Sequence, residues 1–255
     1  FNYKNVSKFK KMKNNINLIC AANVICHIPD LKDLIKSLDF LLSKKGLFIF
    51  EEPYLGAMFK KVSYDQIYDA HVFIFSLHSI KTIFKDYGFD LINCLPQKTH
   101  GGSMRYVLAR KNVYKVKGNV GKLLNKEKKA KLNKFSSCLK FKNDCEKSKK
   151  KFRQKILNLK KNGKTICGYA ASAKSTTALN YCKINYNHIE YIVDSTKEKI
   201  GKFTPGTHIP IKSPNYFKKN YTNFAILNSW NHRDEILKKE YKFIKRGGKW
   251  ISHVK

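Results

Sequence analysis

The sequence has no apolar run of the roughly 18–20 residues that a membrane-spanning helix needs, and its first residues show no signal-peptide pattern. Its seven cysteines are scattered and odd in number, and no two have the CxxC spacing of a zinc or redox motif. We therefore expect a cytoplasmic protein with reduced thiols, no membrane association and no metal site in these 255 residues. The sequence also lacks an initiator Met, so we expect further sequence upstream.

Acidic residues and arginine are both scarce. The chain has 52 lysines and arginines against 18 acidic residues, a formal net charge of +34, yet only five of its basic residues are arginines. Proteins that read bases or clamp phosphates favour the bidentate guanidinium group. About half of the excess charge lies in residues 111–164, where 20 basic residues face three acidic ones. We expect no nucleic-acid binding; a basic nucleic-acid-associated protein remains an alternative that charge alone supports, and attraction for anionic nucleotides is a milder implication.

Strand and helix signals alternate over the first hundred residues. Apolar runs of strand length occupy 16–23 and 47–53. Between them, residues 29–46 carry apolar side chains at helical spacing, with Asp30 as the expected N-cap and Gly46 beyond the expected end. A short helix at 79–89 and two strands joined by "QKTHGG" follow. This order predicts a parallel sheet that is layered by helices and finished by an antiparallel pair.

The second half of the chain repeats the alternation after a break. Residues 118–161 have no strand signal and carry apolar positions on helical faces, which predicts two connecting helices. Strand and helix signals return from residue 164. We therefore predict an α/β fold with one domain at 1–110, a helical connector at 111–163 and a second, Rossmann-like α/β domain at 164–255.

One strand–turn–helix junction has the composition of an anion site. The stretch "TICGYAASAKSTTALNYC" gives a strand, a turn of small residues and a helix that begins near Ser172. Exposed amides and the helix dipole attract anions there, and Lys174, Ser175 and Thr176 could add donors. The GxxxxGK[ST] motif of a Walker loop is absent. A tight turn with a capped helix explains the same residues, and both interpretations stay open.

A second stretch, "YIVDSTKEKIGKFTPGTHIPI", ends a strand on Asp194 and enters a Gly/Pro loop that contains His208. A strand-terminal acid above such a loop is typical of a ligand cleft, but it is equally compatible with turn chemistry.

His71 stands inside the apolar stretch "IYDAHVFIFSLHSI". An imidazole in such a run is either a buried structural group or a base, and the residues alone leave both possibilities open.

Six ordered motifs resemble one family, the sugar C-methyltransferases, over about residues 20–255. These are S-adenosylmethionine enzymes that methylate a carbon of nucleotide-linked keto-deoxyhexoses in pathways of the tetronitrose and mycarose type. The motifs are "CAANVICHIPDL", "FEEPYLGAMFKKVSYDQIYDAHVFIFSL", "THGGSMRYVLAR", "GYAASAKSTTALNYC", "YIVDSTKEKIGKFTPGTHIPI" and "LNSWNHRDEI".

The resemblance implies a methyltransferase Rossmann domain at 1–110 that is incomplete. Family members begin with a cysteine-rich zinc module, which is missing here, so zinc is expected only in that module. The first strand with the glycine-rich cofactor loop is missing too, which implies an incomplete S-adenosylmethionine site. Asn23, His27 and Glu51 fall at the cofactor-facing positions that remain.

The resemblance also assigns roles around the reaction. The family's Tyr-His-Glu-His motif is Tyr68-Asp69-Ala70-His71 here, which implies His71 as the base and Tyr68 as its assistant, although the family's glutamate is Ala70. The substrate would be a nucleotide-linked keto-sugar in a cleft where the two domains meet. Its expected contacts are His100, Gly101, Gly102, Ser103, Arg105, Lys174, Ser175, Thr176, Asp194 and His208. Because Ala70 replaces the glutamate and the cofactor loop is absent, a non-catalytic nucleotide-sugar-binding remnant is the second hypothesis.

Overall fold

The computed structural model describes residues 1–254, which form two compact units. The first unit consists of residues 1–60 and 69–139, and the second consists of residues 61–68 and the chain from 140 onward. This division differs from the predicted one in two ways. Part of the predicted connector, the helix at 118–129, packs within the first unit, and the short segment 61–68 packs within the second.

The first unit contains a mixed four-stranded sheet. Its strands are β1 (Ile16–Ala22), β2 (Leu42–Pro53), β3 (Phe89–Gln97) and β4 (Ser103–Arg110). They lie in the order β1-β2-β4-β3; β1 runs parallel to β2, and β4 runs antiparallel to both of its neighbours. The predicted parallel sheet with a terminal antiparallel hairpin is confirmed.

Helices cover this sheet through amphipathic faces. Along this part of the chain they are α1 (Tyr3–Val6), α2 (Leu31–Leu41), α3 (Leu55–Lys61), α4 (Leu77–Lys85) and α5 (Gly118–Lys129), with 3-10 turns at Lys10–Met12, Ile25–His27, Tyr64–Gln66 and Thr99–Gly101. Asp30 caps α2 as predicted, because its carboxylate accepts the Asp33 amide at 2.9 Å. The apolar residues that α2 repeats every three or four positions are buried in a core shared with Phe48 and Phe50 of β2.

The predicted end of α2 at Gly46 is wrong. The helix stops at Leu41, and the chain goes directly into β2, where Leu42 is fully buried and pairs with Ile16. Gly46 is a strand residue whose position leaves no room for a side chain: a Cβ there would lie 2.8 Å from the backbone oxygen of Ile16. The close approach of β1, and not helix termination, requires this glycine.

The second unit contains a five-stranded parallel sheet. Its strands are β5 (Ile166–Tyr169), β6 (Tyr191–Val193), β7 (Ile211–Lys212), β8 (Phe224–Leu227) and β9 (Lys249–Ile251), in the order β7-β6-β5-β8-β9. Every residue of the central strand β5 is buried, as expected for a strand covered on both faces.

The remaining helices complete the second half of the chain. They are α6 (Phe135–Lys161), α7 (Ala173–Tyr181), α8 (Pro214–Lys219), α9 (Arg233–Lys239) and α10 (Tyr241–Lys245), with a 3-10 turn at Trp230–His232. The boundary between the units falls inside α6, after Leu139. In the described residues no helix is both long enough and apolar enough to cross a membrane, and all seven cysteines are free thiols.

Candidate functional site

The carboxyl end of β1 is held by a buried carboxylate. Glu52 of β2 is fully buried, and its Oε1 accepts the amides of Val24 at 2.9 Å and Ile25 at 2.7 Å. Its second oxygen makes no hydrogen bond to any residue in 1–254. Asn23, at the start of this turn, has a φ of 55°, and its amide donates to the Glu51 carbonyl at 2.9 Å. The side-chain oxygen of Asn23 is also buried without a partner among the described residues, so this strand end presents unsatisfied acceptors.

Two imidazoles and a thiol come together just beyond that turn. Ligand atoms of Cys26, His27 and His71 all lie within 4.8 Å of one another. The rings of His27 and His71 have centroids 5.1 Å apart and are tilted by 41°. Cys26 is buried, His71 is half-buried and His27 is exposed. His71 is therefore not a core histidine, and it lies where one side of the cluster meets solvent.

Backbone contacts fix the segment that carries His71. The Phe73 amide donates to the Cys26 carbonyl at 3.2 Å, and the Nδ1 of His27 lies 2.5 Å from the Ala70 carbonyl. Since a carbonyl only accepts, Nδ1 is the donor, and in the neutral ring Nε2 keeps the lone pair. Tyr68, three residues before His71, is half-buried and belongs to the segment that packs with the second unit.

Glu51 and Arg105 contact each other directly. They face each other across the antiparallel pair of β2 and β4, and the Nη2 and Nε atoms of Arg105 lie 2.9 Å and 3.2 Å from one Glu51 oxygen. The other Glu51 oxygen accepts the hydroxyl of Thr99. Glu51, the predicted cofactor contact, and Arg105, the predicted substrate contact, thus form an ion pair that neutralises both charges.

The loop around His100 connects β3 to β4 through a strained turn. His100 has a φ of 50°, Gly101 81° and Gly102 131°. A Cβ on Gly102 would lie 2.5 Å from the Cβ of Ala57, so the loop packs tightly against α3. Ser103 is buried, and its hydroxyl donates to the Thr99 carbonyl at 3.1 Å. In this structure the Ser103 hydroxyl closes the turn, and its contact with the substrate stays a prediction.

The strand–turn–helix junction of the second unit is closed by a capping box. The Ser172 hydroxyl accepts the Ser175 amide at 3.3 Å, and the Ser175 hydroxyl accepts the Ser172 amide at 2.8 Å. Ser175 is buried and uses its donor on the Ser172 carbonyl. The structure thus shows a capped turn that contains Ser175, while Thr176 stays half-buried on the same turn. By position, the amides of Ala173 and Lys174 have no partner within the helix.

Asp194 serves the same junction as a backbone clamp. One of its oxygens accepts the Ala171 amide and the other accepts the Thr196 amide, both at 2.8 Å, and Lys199 lies 3.6 Å away. Burial by itself raises the pKa of Asp194, but the hydrogen bonds from Thr196 and Ala171 and the charge of Lys199 outweigh it and hold the pKa below its ordinary value. The carboxylate remains ionised and is fully engaged.

An unpartnered amide lies on the same edge of the second sheet. Asn228 follows β8 and is buried; its Nδ2 donates to the Ala170 carbonyl at 3.2 Å, while its Oδ1 has no partner among residues 1–254. Lys174 lies in the first turn of α7. Its Nζ is 5.4 Å from the centroid of the Trp230 ring and 3.4 Å from the side-chain oxygen of Asn231. Burial lowers the pKa of Lys174, and the charge of Asp65 opposes that shift.

A buried acid in the second unit escaped the sequence analysis. Asp65 is fully buried and accepts the indole N–H of Trp230 at 2.8 Å, and its other oxygen lies 3.3 Å from Nε2 of the buried His253. Trp230 follows Asp65 by 165 positions and His253 follows it by 188, so no local sequence pattern could have indicated these contacts. Their contact explains why residues 61–68 pack with this unit.

His208 is not brought to the first turn of α7. Its loop packs near the other end of that helix, where the Asn180 side chain donates to the Pro205 carbonyl at 3.0 Å. Asn180 lies seven residues after Ala173, a rise of about 10 Å along a helix. The φ of 52° at His208 and the hydrogen bond from its amide to Thr204 identify it as a turn residue.

Comparison with known proteins matches both units. Residues 98–254 match the family model described as the C-methyltransferase C-terminal domain, and residues 3–93 match a model described as a methyltransferase domain. The chain is 29% identical over 235 residues to a protein from Streptomyces niveus named C-methyltransferase NovU. That match covers 92% of this chain but only 56% of the relative, so the chain spans little more than half of the relative's length.

Proposed function

The chain belongs to the C-methyltransferase family, whose C-terminal domain model covers more than half of it, and from this premise we propose that it takes part in methylating a carbon of a nucleotide-linked keto-deoxysugar. Methyltransferases of this kind use S-adenosylmethionine, which supplies an electrophilic methyl group. The observation that supports the proposal most is the position of His71, half-buried beside His27 at the carboxyl end of the first sheet.

His71 is proposed as the base. Forming a bond to a carbon next to a ketone requires that a proton leave that carbon, which produces an enolate. An imidazole that reaches solvent suits this proton transfer. Tyr68, close to His71 in the sequence, is proposed to donate to the developing enolate oxygen. His27 orients the segment through its hydrogen bond to the Ala70 carbonyl, which would partly replace the orienting role of the family's glutamate.

The cofactor contacts are proposed to be partial. The buried, unpartnered oxygen of Asn23 fits an acceptor for a cofactor N–H, and His27 lies on the same turn. Glu51 fits less well, since Arg105 and Thr99 already occupy its oxygens. No glycine-rich cofactor loop occurs within residues 1–254. We expect this chain by itself to bind S-adenosylmethionine weakly, and calorimetry that gave micromolar affinity would contradict the expectation.

The second unit is proposed to bind the nucleotide part of the substrate. The support is the first turn of α7, where the Ala173 and Lys174 amides face outward along the helix dipole, together with the unpartnered Asn228 oxygen on the same sheet edge. An amide oxygen suits a base or ribose donor, whereas helix amides suit a phosphate. Ser175, Asp194 and His208 drop out of this proposal because the turns already engage them.

Proton exchange tests the proposal without requiring the cofactor. The chain is incubated in D₂O with a thymidine diphosphate-linked keto-deoxysugar, and deuterium at the carbon next to the ketone is followed by mass spectrometry. We expect incorporation faster than in buffer. Binding of the sugar nucleotide without any exchange would instead favour the non-catalytic remnant, and the absence of both would contradict the proposed substrate class.

A further inference from the structure

Cys26, His27 and His71 have the composition of a transition-metal site as well as the position of a catalytic one. One sulfur and two imidazole nitrogens lie within 4.8 Å of one another. In a tetrahedral site with metal–sulfur bonds of about 2.3 Å and metal–nitrogen bonds of about 2.0–2.1 Å, the ligand atoms lie about 3.4–3.6 Å apart. Closing the difference requires about 1 Å of side-chain movement, which rotation of the half-buried His71 imidazole can supply.

The backbone that carries these side chains is fixed in advance. Glu52 holds the amides of Val24 and Ile25, and the Cys26 carbonyl accepts the Phe73 amide at 3.2 Å. The two chain segments that contribute ligands are thereby tied to each other. Because this backbone is already ordered, it loses little conformational entropy when the site binds an ion.

The hydrogen bond of His27 has the arrangement found around metal-bound histidines. Its Nδ1 donates to the Ala70 carbonyl at 2.5 Å, which fixes the ring orientation and leaves Nε2 as the atom with a lone pair.

We propose that Cys26, His27 and His71 bind one thiophilic divalent metal ion of the Zn²⁺ or Co²⁺ type. A thiolate with two imidazoles selects such ions over Mg²⁺ and Ca²⁺, which prefer oxygen ligands. On binding, the S–H bond of Cys26 breaks, a sulfur–metal bond forms, and the proton passes to solvent, with no change in oxidation state. Three protein ligands would leave a fourth coordination position for water or another ligand.

Metal binding and proton abstraction by His71 exclude each other, because both need the same imidazole lone pair. This consequence rests on the proposed function: added Zn²⁺ should stop the exchange reaction, and a chelator should restore it. The binding proposal does not depend on it, since the assay below contains no substrate.

Cobalt spectroscopy tests the site directly. The whole chain, kept reduced with a non-coordinating phosphine, is titrated with Co²⁺, and the expected result is visible d–d absorption of tetrahedral intensity with a near-ultraviolet thiolate-to-cobalt band. Zn²⁺ should abolish both. Cys26→Ala should remove the near-ultraviolet band, and His27→Asn or His71→Asn should weaken Co²⁺ binding by roughly 10- to 100-fold or more.

Matched controls separate this site from adventitious binding. Cys20→Ala removes an exposed thiol of β1, and His78→Asn removes an exposed imidazole of α4; neither should alter the spectrum. A spectrum without the thiolate band, a band that survives Cys26→Ala, or Co²⁺ affinity unchanged by His27→Asn would overturn the proposal. If circular dichroism shows that Cys26→Ala is unfolded, the Co²⁺ affinity of His27→Asn, which changes an exposed side chain, decides whether the proposal stands.

Discussion

Both sheets hold a loop at their carboxyl edge with a carboxylate, but the two carboxylates are satisfied differently. Glu52 in the first unit uses one oxygen on two amides and leaves the other buried without a partner among the described residues. Asp194 in the second unit uses both oxygens on amides and has Lys199 at 3.6 Å. Both oxygens of the Asp194 carboxylate therefore have partners at the second edge, whereas one Glu52 oxygen at the first edge has none among the described residues.

The difference in hydrogen bonding indicates that Asp194 has a structural role at the second edge, whereas the first edge is the candidate reaction centre. Unsatisfied buried acceptors are costly and persist where a function uses them, and the first edge places such groups beside Cys26, His27 and His71. At the second edge, Ser172 and Ser175 hydrogen-bond to each other, and the groups proposed to contact a ligand are the helix amides and the Asn228 oxygen. This contrast supports the proposals that assign proton transfer to the first unit and anion binding to the second.

The largest expected effect on stability comes from Glu52→Ala. It leaves the buried Ile25 amide and the partly buried Val24 amide without their acceptor. A buried donor without a partner costs about 1–3 kcal/mol and a partly exposed one costs less, so the free energy of unfolding should fall by roughly 2–4 kcal/mol. Urea denaturation measures the change. Glu52→Gln keeps one acceptor and should lose much less; equal losses in the two variants would show that the carboxylate charge, and not the amide clamp, stabilises the turn.

An acidic residue at the first turn of α7 tests the anion site. Thr176→Glu should weaken binding of a thymidine diphosphate-sugar by on the order of tenfold or more, about 1.4 kcal/mol, because it places a negative charge next to the proposed phosphate position. Calorimetry gives the dissociation constant. Asn215→Glu makes the same charge change in the first turn of α8, at an exposed position, and should leave binding unchanged. Equal weakening by both variants would mean a general effect of charge on this basic protein.

A smaller and pH-dependent effect is expected at Asp194. Because its pKa is lower in the folded state than the value of about 3.9 in the unfolded chain, the ionised carboxylate stabilises the fold above that pH. This contribution is lost as the pH falls below about 3.9, through the folded-state pKa. Asp194→Asn should therefore cost about 1 kcal/mol at neutral pH and progressively less in acid.

Denaturation at several pH values checks the Asp194 prediction, with Asp86→Asn as an exposed control. A cost for Asp194→Asn that stays constant from neutral pH down to strongly acidic solution would contradict it, because the charge would then contribute nothing.

The fold followed closely from local sequence signals. Capping by Asp30, alternating apolar runs and the "QKTHGG" turn predicted a parallel sheet finished by an antiparallel pair, and that sheet is confirmed. The order of the strands within each sheet was not predicted and comes from the structure. Gly46 misled the analysis because a glycine after an amphipathic run is typical of a helix end, whereas here the backbone of β1 requires it.

The candidate site was only partly predictable. The positions of Asn23, His27 and His71 came from a motif resemblance, and the structure brings His27 and His71 together. Glu52 and Cys26 were missed because nothing local marks a carboxylate that reaches back to a turn 27 residues earlier. Cys26 has no second cysteine at metal-site spacing, and its partner His71 is 45 residues away, so spacing rules could not find the cluster.

The rate of proton exchange in His71→Asn tests the central claim most directly. With a chelator present, the deuterium exchange rate at the carbon next to the ketone should fall by about 10²–10⁴-fold, the range that general-base catalysis supplies. The melting temperature should barely move, because replacing a half-buried side chain opens no core cavity. His78→Asn should exchange at the rate of the unmodified chain. Exchange that continues undiminished in His71→Asn, together with a melting temperature lowered by many degrees, would contradict the account, and His100 would then be the next residue to replace.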